Sequence, residues 1–175
     1  MKKVGIIALI LLISMSSTAS AKTESIFSRN NKYGGIIKQI RYSAQDDKYR
    51  EGVSRIFVYY DNNGIQREIT VFQTRKYANK YGWYKKETLF EGKTRKSEYF
   101  LTYREETKRR YYRVAYSYDS RNKLRMTEYH INNNAAAKSR VYRARVYYDK
   151  DGSQTEVEEL DAFGNLRMTH KVKAQ

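Results

Sequence analysis

The chain has 175 residues and a formal net charge of +16 at pH 7, and it contains no cysteine and no proline. The lack of cysteine excludes disulfides, thiol catalysis and thiolate metal sites, and the lack of proline permits uninterrupted ladders of strand hydrogen bonds. The 18 tyrosines are typical of half-buried sheet surfaces, where the ring packs and the hydroxyl reaches water. We therefore expect a protein built mainly of β-strands.

The first 21 residues have the pattern of a bacterial-type secretory signal. A basic start, Met1-Lys2-Lys3, precedes an apolar run over residues 4–13, and Ala19-Ser20-Ala21 is a small-x-small cleavage site. The run is too short for a membrane-spanning helix of about 20 residues. We expect cleavage after Ala21 and export to the periplasm or the extracellular space, with no integral membrane segment left. The mature chain, residues 22–175, would keep 33 basic and 19 acidic residues, a net charge of +14.

The remaining chain reads as a series of strands and turns. Residues 22–32 carry no clear pattern, and we expect them to be mobile. Later segments are assigned from period-two alternation and turn residues. Strands are predicted over 33–43, 53–60, 81–90, 97–103 and 109–118, with polar connections at 44–52 and 104–108, a turn at 91–93, and a loop or short helical turn at 132–137.

Four turns share one design, with Asp at the first position and a residue that accepts a positive φ at the fourth. Three of them end in glycine and one in asparagine, the next-best residue for that conformation. The pairs are Asp61 with Gly64, Asp119 with Asn122, Asp149 with Gly152, and Asp161 with Gly164. We expect each to be a structural turn that leads into a strand.

One turn-plus-strand segment occurs twice in the sequence. Residues 119–128 and 161–170 both begin with Asp and contain Leu-Arg-Met-Thr at the same offset. A reused unit of this kind buries its apolar face against its neighbours. We therefore predict a single all-β domain over residues 22–175, an antiparallel meander of repeated Asp-x-x-Gly hairpins that can curl into a half-barrel.

The strand alternation also places basic residues on one side of the predicted sheet. In four arms the apolar residues point one way, and Arg, Lys and Thr point the other. A basic ladder of this kind, and a basic run interleaved with tyrosine at 108–113, are candidate contacts for phosphate or carboxylate groups. The candidate anion-binding residues are Arg125, Arg143, Arg145, Arg167, Lys171, Lys108, Arg109 and Arg110.

The Tyr-Asp-x-x-Gly turn followed by a strand resembles the YD repeat of rearrangement-hotspot and teneurin-type proteins. The matching segments are 60–64, 148–152 and 161–166, and the resemblance covers about half of the mature chain. In those families the repeat builds antiparallel ribbons that wrap or scaffold other molecules. The resemblance implies architecture only, since the repeat carries no active site.

No constellation for catalysis or cofactor binding stands out. The only histidines, His130 and His170, are isolated, and we expect each to be packed or hydrogen-bonded. Adjacent carboxylates such as Glu158-Glu159 point to opposite faces of a strand. The turn at Asp149 echoes a calcium loop but lacks its later acidic ligands. We expect no metal, no cofactor and no catalytic residue.

The sequence thus favours an exported, non-enzymatic β-sheet protein that binds or scaffolds at the bacterial cell envelope. The expected partner is an anionic envelope polymer, bound through a basic, tyrosine-rich face, or another envelope protein. Nucleic acid is not the expected partner, because an exported protein encounters it less often than envelope polymers. Two alternatives stay open, a small outer-membrane β-barrel and an enzyme with a carboxylate or tyrosine site assembled from distant strands.

The secretory signal leads to a first prediction. Expression in a bacterial host should yield an exported protein that begins at Lys22, because the small residues at 19 and 21 present the cleavage site. Intact-mass measurement of the periplasmic fraction checks this, and a mass equal to that of the full chain would contradict it.

Overall fold

The computed structural model describes residues 22–27 and 31–172 as one antiparallel sheet of 11 strands with short helices between some of them. The strands are hydrogen-bonded in chain order, so each pairs with its sequence neighbours. The sheet is curled but not closed. This all-β meander confirms the predicted fold class. The predicted signal and its cleavage site lie outside the described residues.

The strands and helices are short and evenly distributed. The strands are β1 Lys22–Phe27, β2 Gly34–Tyr42, β3 Val53–Asp61, β4 Gln66–Gln73, β5 Trp83–Glu91, β6 Thr94–Leu101, β7 Tyr111–Tyr118, β8 Leu124–Ile131, β9 Arg143–Tyr148, β10 Gln154–Leu160 and β11 Leu166–Lys171. The helices are α1 Asp47–Arg50, α2 Arg75–Tyr81, α3 Tyr103–Arg109 and α4 Asn133–Ser139.

The connections alternate between the two ends of the strands. Helices α1 to α4 lie at one end, which we call the helical end, where they join β2 to β3, β4 to β5, β6 to β7 and β8 to β9. Tight turns join the other strand pairs from β3 to β10 at the opposite end, the turn end. Every second connection of a meander falls at the same end. The turn at Asp161, between β10 and β11, therefore lies at the helical end.

The aspartate turns have the predicted backbone conformation. One carboxylate oxygen of Asp61 accepts the backbone N–H groups of Asn63 and Ile65 at 2.9 and 3.0 Å. The same two bonds form at Asp119, Asp149 and Asp161. The fourth residues have φ angles of 75° at Gly64, 60° at Asn122, 91° at Gly152 and 89° at Gly164. The prediction of positive φ is confirmed at all four.

A recurring unit builds the helical end. Helices α1 to α4 begin at residues 47, 75, 103 and 133, and the last three each have seven residues. These three end at residues in the left-handed conformation, Gly82, Arg110 and Arg140. The N–H of Thr74 donates to the carbonyl of Gly52 at 2.7 Å. The matching bonds from Thr102 to Gly82 and from Asn132 to Arg110 are 2.9 and 3.0 Å, so each unit is tied to the one before it.

Cross-strand pairing defines two faces of the sheet. Residues paired across strands share a face, and neighbours along a strand lie on opposite faces. One row, continuous from β4 to β10, gives what we call the charged face: Thr70, Glu87, Glu98, Ala115, Glu128, Arg145 and Glu158. A row on the opposite side, which we call the tyrosine face, runs through Ile56, Val71, Lys86, Tyr99, Val114, Tyr129 and Ala144.

Three sequence-based expectations about the strands are wrong. Residues Lys22–Phe27, for which the sequence predicted no strand, form β1, hydrogen-bonded to β2. The expected polar turn at 104–108 lies within α3, which is too short to show a helical period. Met126 pairs with Ser117 on the charged face, whereas Thr127 faces Tyr116. A register shift between Ser117 and Tyr118 brings Leu124 opposite Tyr118, so Leu124 and Met126, which were expected on one face, lie on opposite faces.

The turn geometry leads to a second prediction. Gly152 has φ 91°, and a Cβ added there would meet no atom within 4 Å, so only backbone strain opposes a side chain. The substitution Gly152→Val should lower the free energy of unfolding by about 1–2 kcal/mol. Gly152→Asn should lower the free energy of unfolding by clearly less than Gly152→Val, because asparagine tolerates this conformation. Urea denaturation of both variants is the measurement, and equal stability of Gly152→Val and wild type would rule out the turn.

Candidate functional site

The structure does not assemble the predicted basic ladder. Arg125 lies on the opposite face from Arg145 and forms an ion pair with Asp119 at 2.6 Å. Arg143, Arg145 and Lys171 do lie on the charged face, but Lys171 is at the turn end. Arg167 donates to the backbone carbonyl of Ser139 at 3.0 Å. Lys108, Arg109 and Arg110 lie elsewhere, at the end of α3.

Arginines on the charged face form ion pairs with glutamates on neighbouring strands. The alternation within single strands did not predict these pairs. Arg145 contacts Glu128 at 2.6 Å and Glu158 at 3.7 Å. Arg113 donates to Glu98 at 2.9 Å, and Lys96 contacts the same carboxylate at 2.7 Å. Buried carboxylates need such partners, because an unpaired buried charge is very costly. The network thus engages Arg145, a predicted anion contact, with two carboxylates, while its side chain stays 30% exposed.

His130 links the two halves of this network. It contacts Glu128 through Nε2 at 2.9 Å, and Arg113 lies 3.0 Å from its ring nitrogens. A guanidinium has no acceptor, so a ring nitrogen must accept from Arg113 while Nε2 donates to Glu128. The hydrogen bond from His130 and the guanidinium of Arg145 hold the pKa of Glu128 at about 2. His130 is a hydrogen-bonded histidine, as the sequence led us to expect.

The helical end carries the excess positive charge. Residues 74–82, 102–110 and 132–140 hold nine basic and two acidic residues, whereas the turns 61–65, 91–94, 119–123 and 149–153 hold four basic and five acidic residues. The segment around α1 has more acidic than basic residues, so the basic stretch is confined to α2, α3 and α4. Neighbouring helices are two strands apart, which corresponds to about 10 Å.

Equivalent positions of the recurring unit place lysine and tyrosine side chains in register. The exposed lysines are Lys80, Lys108 and Lys138, each in the last turn of its helix. The exposed tyrosines are Tyr84, Tyr112 and Tyr142, each two residues after the left-handed residue. Strand pairing skips Tyr84 and Tyr112, so each sits at a bulge. We call these six residues the lysine–tyrosine row.

Sequence reasoning found only Lys108 of this row. The signal was present in the spacing, since 80, 108 and 138 and also 84, 112 and 142 recur every 28 to 30 residues. The duplicated segment at 119 and 161 has a different spacing, and its two copies lie at opposite ends of the sheet.

A cavity of about 360 Å³ opens beside α3 on the tyrosine face. Its volume is within the range of small-ligand sites. Aromatic side chains from α2, β5, β6 and β7 line it: Tyr81, Trp83, Tyr99, Tyr111, Tyr116 and Tyr118. Trp83 and Tyr99 pack edge-to-face with ring centroids 5.3 Å apart, and Tyr99 packs the same way on Tyr116 at 5.8 Å.

One ion pair borders this cavity. Arg109 donates to Glu105 at 2.8 Å and to the hydroxyl of Tyr111 at 3.3 Å. The absence of a Cβ at Gly82 leaves room for the Glu105 side chain. The bond from Arg109 holds the pKa of Glu105 below its usual value. Burial raises the pKa of Tyr116 to about 12, above the value of about 10 for an ordinary tyrosine.

Within the described part of the chain, residues 22–27 and 31–172, no group of three or more histidine, aspartate or glutamate side chains could hold a metal ion. No helix within those ranges is long and apolar enough to span a membrane.

Comparisons with protein-family models, with curated proteins and with solved structures find no match. The resemblance to YD-repeat proteins therefore stays a prediction from short turn motifs.

The buried network leads to a third prediction. Because the pKa of Glu128 is lower in the folded protein than its ordinary value of 4.5, its stabilisation is present above about pH 5 and is lost as the pH falls towards 2. The difference in unfolding free energy between wild type and Glu128→Gln should shrink over that range by roughly 2–3 kcal/mol.

Chemical denaturation at a series of pH values measures this difference. The control is Glu91→Gln, which makes the same change at an exposed turn residue and should not show the same pH dependence. A constant difference for Glu128→Gln would mean that Glu128 is not paired in the folded state.

Proposed function

We propose that the protein is an exported, non-enzymatic binding or scaffold protein of the bacterial cell envelope, and that it holds an anionic polymer along its helical end. The observation that carries this proposal is the lysine–tyrosine row. It repeats a positive charge and an aromatic ring at steps of about 10 Å. A linear polymer with regularly spaced anionic groups can contact every unit of such a row at once.

The distribution of charge supports this choice of site. Glu68, Glu98 and Glu128 are buried and paired with Lys32, Arg113 and Arg145, so these acidic side chains are engaged within the sheet. Lys80, Lys108 and Lys138 are exposed. Exposed like charges in a row attract a polyanion and raise its association rate, and salt screens that attraction.

The exposed tyrosines support a polymer that carries rings. Tyr84, Tyr112 and Tyr142 are 45%, 40% and 38% exposed, respectively. An exposed aromatic side chain loses little entropy when a sugar or base stacks on it, and its hydroxyl can donate to the ligand. The row therefore combines charge attraction with ring contacts at the helical end, which supports an anionic polymer as the partner.

The row leads to a fourth prediction. The triple variant Lys80→Gln, Lys108→Gln, Lys138→Gln should bind an immobilised polyanion such as polygalacturonate roughly hundredfold more weakly at low salt, at about 1 kcal/mol per lysine. Its affinity should also depend less steeply on salt. Elution at graded salt and titration at two salt concentrations are the measurements.

The turn end provides a matched control. The variant Lys93→Gln, Lys123→Gln, Lys150→Gln removes the same charge from three exposed lysines at the opposite end of the sheet. The affinity of this variant for the polyanion should fall severalfold at most. Equal losses in the two variants would show that net charge alone matters, and no binding by the wild type would refute the proposed function.

A further inference from the structure

We propose that the aromatic cavity beside α3 is a sugar-binding subsite, so that the anionic polymer held at the helical end is an acidic polysaccharide. This inference rests on the proposed function and specifies its ligand. The cavity is bordered by Arg109 in the last turn of α3, next to Lys108 of the lysine–tyrosine row. Tyr112 of the row packs against His130 on the charged face, whereas the cavity opens on the tyrosine face. A chain bound along the row therefore crosses the helical end beside Arg109 to place one ring in the cavity.

The lining has the two kinds of group that a sugar ring needs. Sugars present an apolar C–H face and several hydroxyls, and they are recognised by aromatic faces together with a few placed polar groups. Trp83, Tyr99 and Tyr116 supply the rings, and their edge-to-face packing turns ring faces in more than one direction. These pairs offer no two parallel rings between which a flat nucleobase would stack.

The cavity lining also supplies tyrosine hydroxyls. Tyr99, Tyr111, Tyr116 and Tyr118 all line the cavity, and the rings of Tyr99 and Tyr116 have centroids 5.8 Å apart. Within the described residues the hydroxyls of Tyr99 and Tyr116 donate to no protein group. A phenol can both donate and accept, which suits ligand hydroxyls of either role. Tyr111 is held in place by its bond from Arg109.

The charge near the cavity favours an acidic sugar over a neutral one. The Glu105–Arg109 pair is itself neutral, but the segment 102–110 has two more basic than acidic residues, and the segments on either side are also basic. The spacing of about 10 Å between neighbouring units is comparable to the length of a disaccharide. Alternate rings of a linear acidic polysaccharide would therefore meet equivalent groups.

The chain contains one tryptophan, and it lines the cavity, so its fluorescence reports occupancy directly. The experiment titrates the mature protein with oligogalacturonate, with polyphosphate of the same number of charges, and with oligodeoxythymidylate. Oligogalacturonate should shift the emission of Trp83, and polyphosphate should bind without shifting it.

The double variant Tyr99→Phe, Tyr116→Phe keeps both rings and removes both hydroxyls. It should bind oligogalacturonate about tenfold more weakly or worse and polyphosphate as wild type does. The control Tyr60→Phe, Tyr148→Phe makes the same change outside the cavity lining and should alter neither affinity. Circular dichroism confirms that each variant is folded.

The outcomes separate this inference from the proposed function. If oligogalacturonate and polyphosphate bind equally, without a change in emission and without an effect of the double variant, the sugar subsite is refuted and the proposed function stands. If oligodeoxythymidylate shifts the emission as strongly as oligogalacturonate, the assignment to sugars is refuted. If none of the three anions binds, both proposals are refuted.

Discussion

The arrangement of the helical end depends on one backbone hydrogen bond that recurs. The residue before each of α2, α3 and α4 donates its N–H to a carbonyl that closes the preceding unit, at 2.7 to 3.0 Å. The accepting residues, Gly52, Gly82 and Arg110, all have positive φ. Such a conformation costs an arginine about 1 kcal/mol, which the regular fold must offset. With these bonds in place, each helix starts at the same point relative to its strands, and equivalent side chains align along the sheet.

The second constraint is the pairing of charge within the sheet. Cross-strand neighbours bring Glu98, Glu128 and Glu158 next to Arg113 and Arg145 on the charged face. A buried charge is tolerated only with its partner, so arginine and glutamate are needed there together. With these strand charges paired, the ends of the sheet differ through their own residues: the turn end is nearly neutral and the helical end is strongly basic. The same positive net charge spread evenly over the surface would attract polyanions without directing them to any one place.

The proposed polysaccharide site joins these two constraints. The lysine–tyrosine row depends on the recurring backbone bond, and its positive potential depends on the engagement of the glutamates elsewhere. The cavity beside α3 is formed where Gly82 lets Glu105 approach, which leaves Arg109 to orient Tyr111. Each part of the proposed site therefore traces to a residue with a structural role in the sheet.

The sequence by itself determined the local structure. The aspartate turns were predicted correctly at Asp61, Asp119, Asp149 and Asp161, because a carboxylate followed by glycine or asparagine three residues later specifies its own hydrogen bonds and its own φ. The all-β meander followed from the same turns and from the period-two alternation between them.

Only the tertiary structure decided which side chains come together. Arg125 and Arg145 look alike in the strand alternation, yet the register of β8 on β9 pairs Glu128, three residues after Arg125, with Arg145, which places the two arginines on opposite faces. Lys80, Lys108 and Lys138 recur every 28 to 30 residues, but this spacing does not by itself place them at one end of the sheet, because seven-residue helices are too short to show a helical period. Strand register and the stacking of units set these contacts, and both depend on hydrogen bonds between residues that are distant in the sequence.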